Sequence, residues 1–281
     1  MEFVGSRTAD GVLLHGALVG RGERYGLLLV HGAWGSFYAT PVFDLLQAAK
    51  ERGFAALSMN SRGHDLGTLG DGEPCVGFMR DLFEQAPLDL DAAAEVLTAA
   101  GVERYVVVAH SYGAHKAAYW LAERRPAEAV GCVLVSPAPP LHAVARWWVD
   151  GAIEHHIARA AAAVAAGVPE ELIVVSSAAP APIVAEAQTL LSTWGPATRA
   201  DSRLHVPGVT VPTLIMSGER EGAANRAFAA EVAGAAPHAE LEVLNDNHYY
   251  SKDRPQFIAT IMKWIGERGL LVVHGMKDAN E

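Results

Sequence analysis

Val106-Val107-Val108-Ala109-His110-Ser111-Tyr112-Gly113 is an apolar, β-branched run that stops abruptly at a serine, with small residues two positions to either side. β-Branched side chains favour a pleated strand, and the stretch Ala114 to Glu123 behind the serine is helix-forming. The segment therefore predicts a strand, a tight turn with Ser111 at its apex, and a helix. Such a corner lifts a hydroxyl out of a sheet and sets it beside free backbone N–H groups. A serine hydroxyl is a poor nucleophile until a base adjoins it, so the corner is half of a reactive site. Serine is also favoured as a plain helix cap. The small residues at 109 and 113 speak for the reactive reading, because a sharp bend leaves no room for bulk.

Working outward, the same strand-then-turn pattern recurs. Segments 2–7 and 11–18 flank the turn signal Ala9-Asp10-Gly11 and predict a hairpin. The continuous apolar run at 26–30 predicts a buried strand, and 55–59, 130–135, 213–216 and 241–244 predict further strands. Helices are predicted near 40–52, with Pro41 in the first turn, 89–100, 225–233 and 255–267. Strands alternating with helices predict an α/β fold whose mostly parallel sheet is covered on both faces. From about 137 to 207 the alternation lapses. The segment holds Trp147 and Trp148, an alanine run (158–166), a Pro-rich joint (178–182) and a helix pattern near 183–191. About 70 residues are too many for an ordinary loop, so 137–207 reads as a helical lid inserted into a core made of 1–136 and 208–281.

Composition excludes several classes. Hydrophobic residues make up 51% and charged residues 19%, a globular rather than a disordered chain. A net charge of −10 without any Lys/Arg-rich run argues against nucleic acid as a partner. The two cysteines, Cys75 and Cys132, suggest neither a disulfide framework nor a cysteine-rich metal site. No signal-peptide pattern and no long apolar window is visible, so the expected setting is cytoplasmic, without a membrane span. No phosphate cradle or ligand cluster calls for a cofactor or a metal.

Five motifs occur in order: His31-Gly32-Ala33-Trp34-Gly35, Ser61-Arg62-Gly63-His64, Ala109-His110-Ser111-Tyr112-Gly113, Ser217-Gly218-Glu219-Arg220-Glu221 and Asn245-Asp246-Asn247-His248. In these the chain resembles the alpha/beta hydrolase superfamily, with Ala109 standing where the usual elbow begins with glycine. The resemblance implies an alpha/beta hydrolase fold with Ser111 as nucleophile. It implies His248 as base, since His248 follows the last strand and precedes the last helix. The third member is implied in the loop after Ser217, where no aspartate occurs. Glu221 fits the family's slot better than Glu219, and Asp150 is a more distant source. The backbone N–H groups of Tyr112 and Ala33, with Trp34 as a neighbour, would form the oxyanion hole. His31 resembles the structural histidine that opens the oxyanion loop, and Arg62-Gly63-His64 a structural turn.

Around Ser111 the loops and the insertion are rich in aromatics. Trp34, Trp147 and Trp148 are the expected pocket residues, and Phe37, Tyr38, Tyr112, Trp194, Tyr249 and Tyr250 are candidates for the same wall. The expected activity is that of a serine hydrolase acting on an ester-like bond (carboxylic ester, thioester or lactone) of a small apolar acyl substrate through an acyl-enzyme. The alternatives are a lyase or isomerase of the same fold using Ser111 and His248, and a ligand-binding protein with a decayed site. The tail, 269–281, contains Leu270-Leu271-Val272-Val273, an extra strand expected on a sheet edge or across a homodimer.

Overall fold

The strand leading to Ser111 lies near the middle of the molecule. In the computed structural model, which describes residues 1–67, 75–140, 149–176 and 183–271, it is β5 (Arg104–His110). Before it come β1 (Glu2–Arg7), β2 (Leu13–Val19), β3 (Tyr25–Val30) and β4 (Ala55–Met59). After it come β6 (Ala129–Val135), β7 (Leu172–Ser176), β8 (Ile183–Glu186), β9 (Thr213–Gly218) and β10 (Ala239–Leu244). Eight of these form one sheet in the order β1-β2-β4-β3-β5-β6-β9-β10. The β1–β2 and β2–β4 pairs are antiparallel, and the pairs from β4 through β10 are parallel. The predicted α/β architecture is thus the one observed.

Helices cover both faces, and strand parity decides which side chains each face receives. Tyr105, Val107 and Ala109 pack on one side with α2 (Ala86–Ala99), α3 (Tyr112–Arg124) and α6 (Ala223–Ala235). Val106 and Val108 pack on the other with α1 (Asp44–Glu51) and α7 (Arg254–Glu267). Being covered twice, β5 is buried at every residue after Arg104, which is why its sequence runs apolar instead of alternating. Ala109 shares its cluster with Ala114, Ala117 and Ala118 of α3, small residues that let the helix lie close over the strand end.

Two helices start later than the sequence expectation. Residues 41–43 are wound as turns and α1 begins only at Asp44, after a cis Thr40–Pro41 peptide. In the insertion, Ile183–Glu186 is a strand, and helix begins only at α5 (Ala187–Trp194). There β8 pairs antiparallel with β7, beside α4 (Ile153–Ala165), so the segment holds a hairpin as well as the expected helices. The reason is local: Ile173, Val174 and Val175 are β-branched, and Ile173 and Val175 are buried while Val174 is exposed, the period of a half-buried strand. The Pro-rich joint at 178–182 and the tail beyond 271 fall outside the described residues. Among the described residues no helix is long and apolar enough to cross a membrane.

The corner at 111 is sharp because Gly113 lets backbone approach backbone. A Cβ on Gly113 would lie 2.3 Å from the His31 carbonyl oxygen and 3.1 Å from that of Val30. Gly113→Ala is therefore expected to lower stability by about 1–3 kcal/mol, as overpacked sites do, read as a lower urea midpoint at unchanged m-value.

Candidate active site

Ser111 sits between β5 and α3 with φ 54° and ψ −122°, a conformation that non-glycine residues rarely adopt. Its Oγ lies 3.0 Å from Nε2 of His248, a residue 137 positions away in the loop between β10 and α7. On the other side of the imidazole, Nδ1 lies 2.9 Å from Oε2 of Glu221, in the turn after β9. Strands β5, β9 and β10 thus end on the same side of the sheet, and their following loops meet there. Glu219 and Asp150 are exposed, and the carboxylate on the imidazole is that of Glu221.

The Glu221 carboxylate is fully occupied. Oε2 accepts from His248 and from Asn225 Nδ2 (3.2 Å), and Oε1 accepts from Gly218 N–H (2.6 Å) and Ser136 Oγ (2.5 Å). Ser136 accepts in turn from the Tyr250 hydroxyl at 2.9 Å. Burial alone would raise the Glu221 pKa, but the bonds from His248 and Ser136 outweigh it and hold the carboxyl down at about 2. Tyr250 is fully buried on this chain of bonds and is absent from the cavity wall, contrary to the sequence expectation. Ser136 and Tyr250 both carry positive φ, an irregularity at two partners of one carboxylate. Sequence reasoning missed Ser136 and Asn225 as partners of Glu221. The only available signal was the place of Ser136 at the end of a strand beside β9.

Next to Ser111 is a cavity of about 600 Å³ whose wall includes Ala33, Trp34, Tyr112, Thr193, Ala223 and Tyr249. Tyr112 is the first residue of α3, so its N–H has no acceptor within the helix. Ala33 and Trp34 form the turn closed by Gly35 N–H to Gly32 O (3.1 Å), with Trp34 at φ 55°. The Trp34 ring rests 4.6 Å from that of Phe78. Phe37 and Tyr38 turn elsewhere, packing with each other, and Phe37 also with Phe3, while Trp194 packs with Phe78, which precedes β5 in the chain. Trp147 and Trp148, the other expected pocket residues, lie outside the described residues.

Two other histidines, His31 and His156, have partners of their own. His31 donates from Nδ1 to Gly32 O and accepts at Nε2 from Ser61 N–H (3.0 Å), so its tautomer is fixed. Burial lowers its pKa to about 4. Arg62 is buried on Asp89 and Asp10, a structural turn as expected. His155 and His156 belong to α4, and His156 bonds the Asp150 carbonyl. Among the described residues no group of three metal-ligating side chains occurs.

Known proteins place this arrangement in context. A search of curated proteins finds no match. Among solved structures, that described as ferulic acid bound to Est1E from Butyrivibrio proteoclasticus is similar, with TM-score 0.72 and 16% identity over 95% of this chain and 99% of that one. The esterase RhEst1 from Rhodococcus sp. ECU1013 gives 0.62 and 16%, over 95% and 99%. The alpha/beta hydrolase GrgF from Penicillium sp. sh18 gives 0.71 and 14%, over 95% and 98%. At such identities the likeness speaks to the fold alone. The model of the alpha/beta hydrolase family, however, matches residues 27–261, from β3 into the last helix. Sheet order, the bend after β5 and a sequence match over most of the length agree, and the chain belongs to the alpha/beta hydrolase family.

Proposed function

We propose that this protein is a serine hydrolase that cleaves a carboxylic ester, or a thioester or lactone, through an acyl-enzyme. The observation that carries the reading is the Ser111–His248–Glu221 chain of hydrogen bonds, 3.0 and 2.9 Å, opening onto a cavity of about 600 Å³. In this mechanism Ser111 Oγ attacks the carbonyl carbon while its proton passes to His248 Nε2. The imidazolium that forms is stabilised by the ionised Glu221. Charge on the carbonyl oxygen is taken by the N–H groups of Ala33 and Tyr112, each a donor of the kind worth about 10²–10³ in kcat. The tetrahedral centre collapses, the C–O bond to the leaving group breaks, and His248 returns the proton to the departing alcohol. Water then repeats the sequence on the acyl-serine and releases the acid.

The apolar wall favours an uncharged acyl group of modest size. Est1E is described with an aromatic acid, ferulic acid, bound, and an aryl-acyl group belongs among the substrates to try here. Thr193 and Ala200 of the insertion line the cavity, which supports reading 137–207 as its lid. The test is a p-nitrophenyl ester series from acetate to decanoate together with aryl esters. Turnover is expected, along with fluorophosphonate labelling that mass spectrometry maps to Ser111. Absence of both turnover and labelling would refute the reading.

A further inference from the structure

His110, the residue before Ser111, plays no part in the steps above. It is the last residue of β5 and shares the parity of Val106 and Val108, so it belongs to the α1 and α7 side of the sheet. That is the side on which the loop bearing His248 leads into α7. His110 is buried, and its Nε2 lies 2.9 Å from the main-chain carbonyl oxygen of His248. A carbonyl only accepts, so Nε2 carries the proton and donates it. The two rings lie 4.7 Å apart, and that of Tyr249 lies 5.7 Å from His110.

Two consecutive residues therefore grip one residue at two atoms: Ser111 at the His248 imidazole and His110 at the His248 carbonyl. The need for such a grip follows from the topology. Strands β6 and β9 stand between β5 and β10, so nothing in the sheet ladder fixes the 245–253 loop directly to the nucleophile's strand. The loop is braced internally. Asp246 accepts from the N–H groups of Asn247, Lys252 and Asp253, and Asn247 Oδ1 from that of Tyr249. These bonds fix its shape. Its placement is set by bonds to other elements: Arg220 N–H to Asp246 O on the β9 side, Tyr250 to Ser136 at the end of β6, and His110 at the end of β5.

We propose that His110 is a positioning residue for the hydrolysis: its Nε2–H holds the His248 main chain to the strand that carries Ser111, and so fixes the distance between nucleophile and base. The proposal rests on the serine hydrolase reading. Burial keeps the His110 ring neutral, its pKa lowered to about 3, so the donor persists over the working pH range.

The test compares His110→Leu, which keeps an apolar body and loses the donor, with His110→Gln, whose amide nitrogen reaches about as far as Nε2. With a p-nitrophenyl ester, H110L is expected to lower kcat about 10–100-fold, the cost of a misplacement on the order of 1 Å, while KM stays within about twofold. H110Q is expected to recover most of the loss, and fluorophosphonate labelling of Ser111 should slow in step with kcat. Urea midpoints measured on both variants separate loss of folding from loss of alignment. If H110L does not fold, His110→Asn, too short to reach the carbonyl, takes its place with the same expected loss. Wild-type kcat in the donorless variant, or equal loss in H110Q at equal stability, overturns the positioning role alone. An unmodified protein that neither turns over esters nor reacts with fluorophosphonate overturns the hydrolase reading and this role with it.

Discussion

Replacing Ser111 with alanine is expected to lower kcat on the best ester by about 10⁴–10⁶-fold, with fluorophosphonate labelling abolished. The size follows from what is removed. No other hydroxyl takes its place against Nε2 of His248, because Ser136 is committed to Glu221 and Tyr250. Alanine suits the site in other respects. It keeps a Cβ, so it meets the φ of 54° at about the same cost as serine, and the turn loses only one partly buried hydrogen bond. Stability should therefore change by no more than about 1 kcal/mol. Substrate affinity should survive as well, since the cavity wall is intact. Equilibrium binding of a product acid to S111A, at a strength close to that for wild type, checks this. Turnover within tenfold of wild type would remove Ser111 from the reaction.

The second large effect is expected at Glu221→Gln, which keeps volume and removes charge. An amide has one accepting atom and one donating group where the carboxylate has two acceptors. Gly218 N–H cannot reverse, so the amide oxygen must face Gly218 and Ser136. The amide NH₂ then faces Nδ1 of His248, which has to accept. That tautomer puts the proton on Nε2, where it cannot take another from Ser111. The expected loss in kcat is about 10³–10⁴-fold with little change in KM. A stability signature accompanies it. With its pKa lowered from 4.5 to about 2 in the folded state, Glu221 contributes stability that is fully present above about pH 4.5. It is lost as the pH falls through 2, and at order of magnitude amounts to about 3 kcal/mol. E221Q lacks this titration, so its deficit against wild type should narrow between pH 5 and pH 2 in urea melts. A deficit constant over that range would refute the assignment of the low pKa to this carboxyl.

Much of the fold is legible because its signals are local. Val106 to Gly113 carries strand, turn and helix in eight residues, and the apolar runs at 26–30, 55–59 and 130–135 announce strands covered on both faces. The hairpin of β7 and β8 is harder to read. Its strands are short, they flank a Pro-rich joint, and Ile183 to Leu191 carries apolar spacing that fits a helix equally well. At the site, Ser111, Glu221 and His248 stand out through motif order, whereas their supporting contacts do not. Ser136, Tyr250 and His110 matter through tertiary contacts across 85, 114 and 138 residues, and no spacing in the chain signals such pairs. Tyr249 and Tyr250 show the limit most plainly. Adjacent in sequence, one lines the cavity and the other is buried on Ser136, with φ positive at Tyr250.

Ser111, Glu221 and His248 follow the ends of β5, β9 and β10, and Ser136 follows the end of β6. During synthesis these strands emerge one after another, and the imidazole at residue 248 arrives after Ser111 and Glu221. Pairings between such distant stretches are slow to form. Until they close, Ser111 has no base beside it and is an ordinary, unreactive alcohol. On the proposed mechanism, the nascent polypeptide would thereby be spared self-acylation by activated acyl compounds, the serine gaining its nucleophilicity only as folding completes.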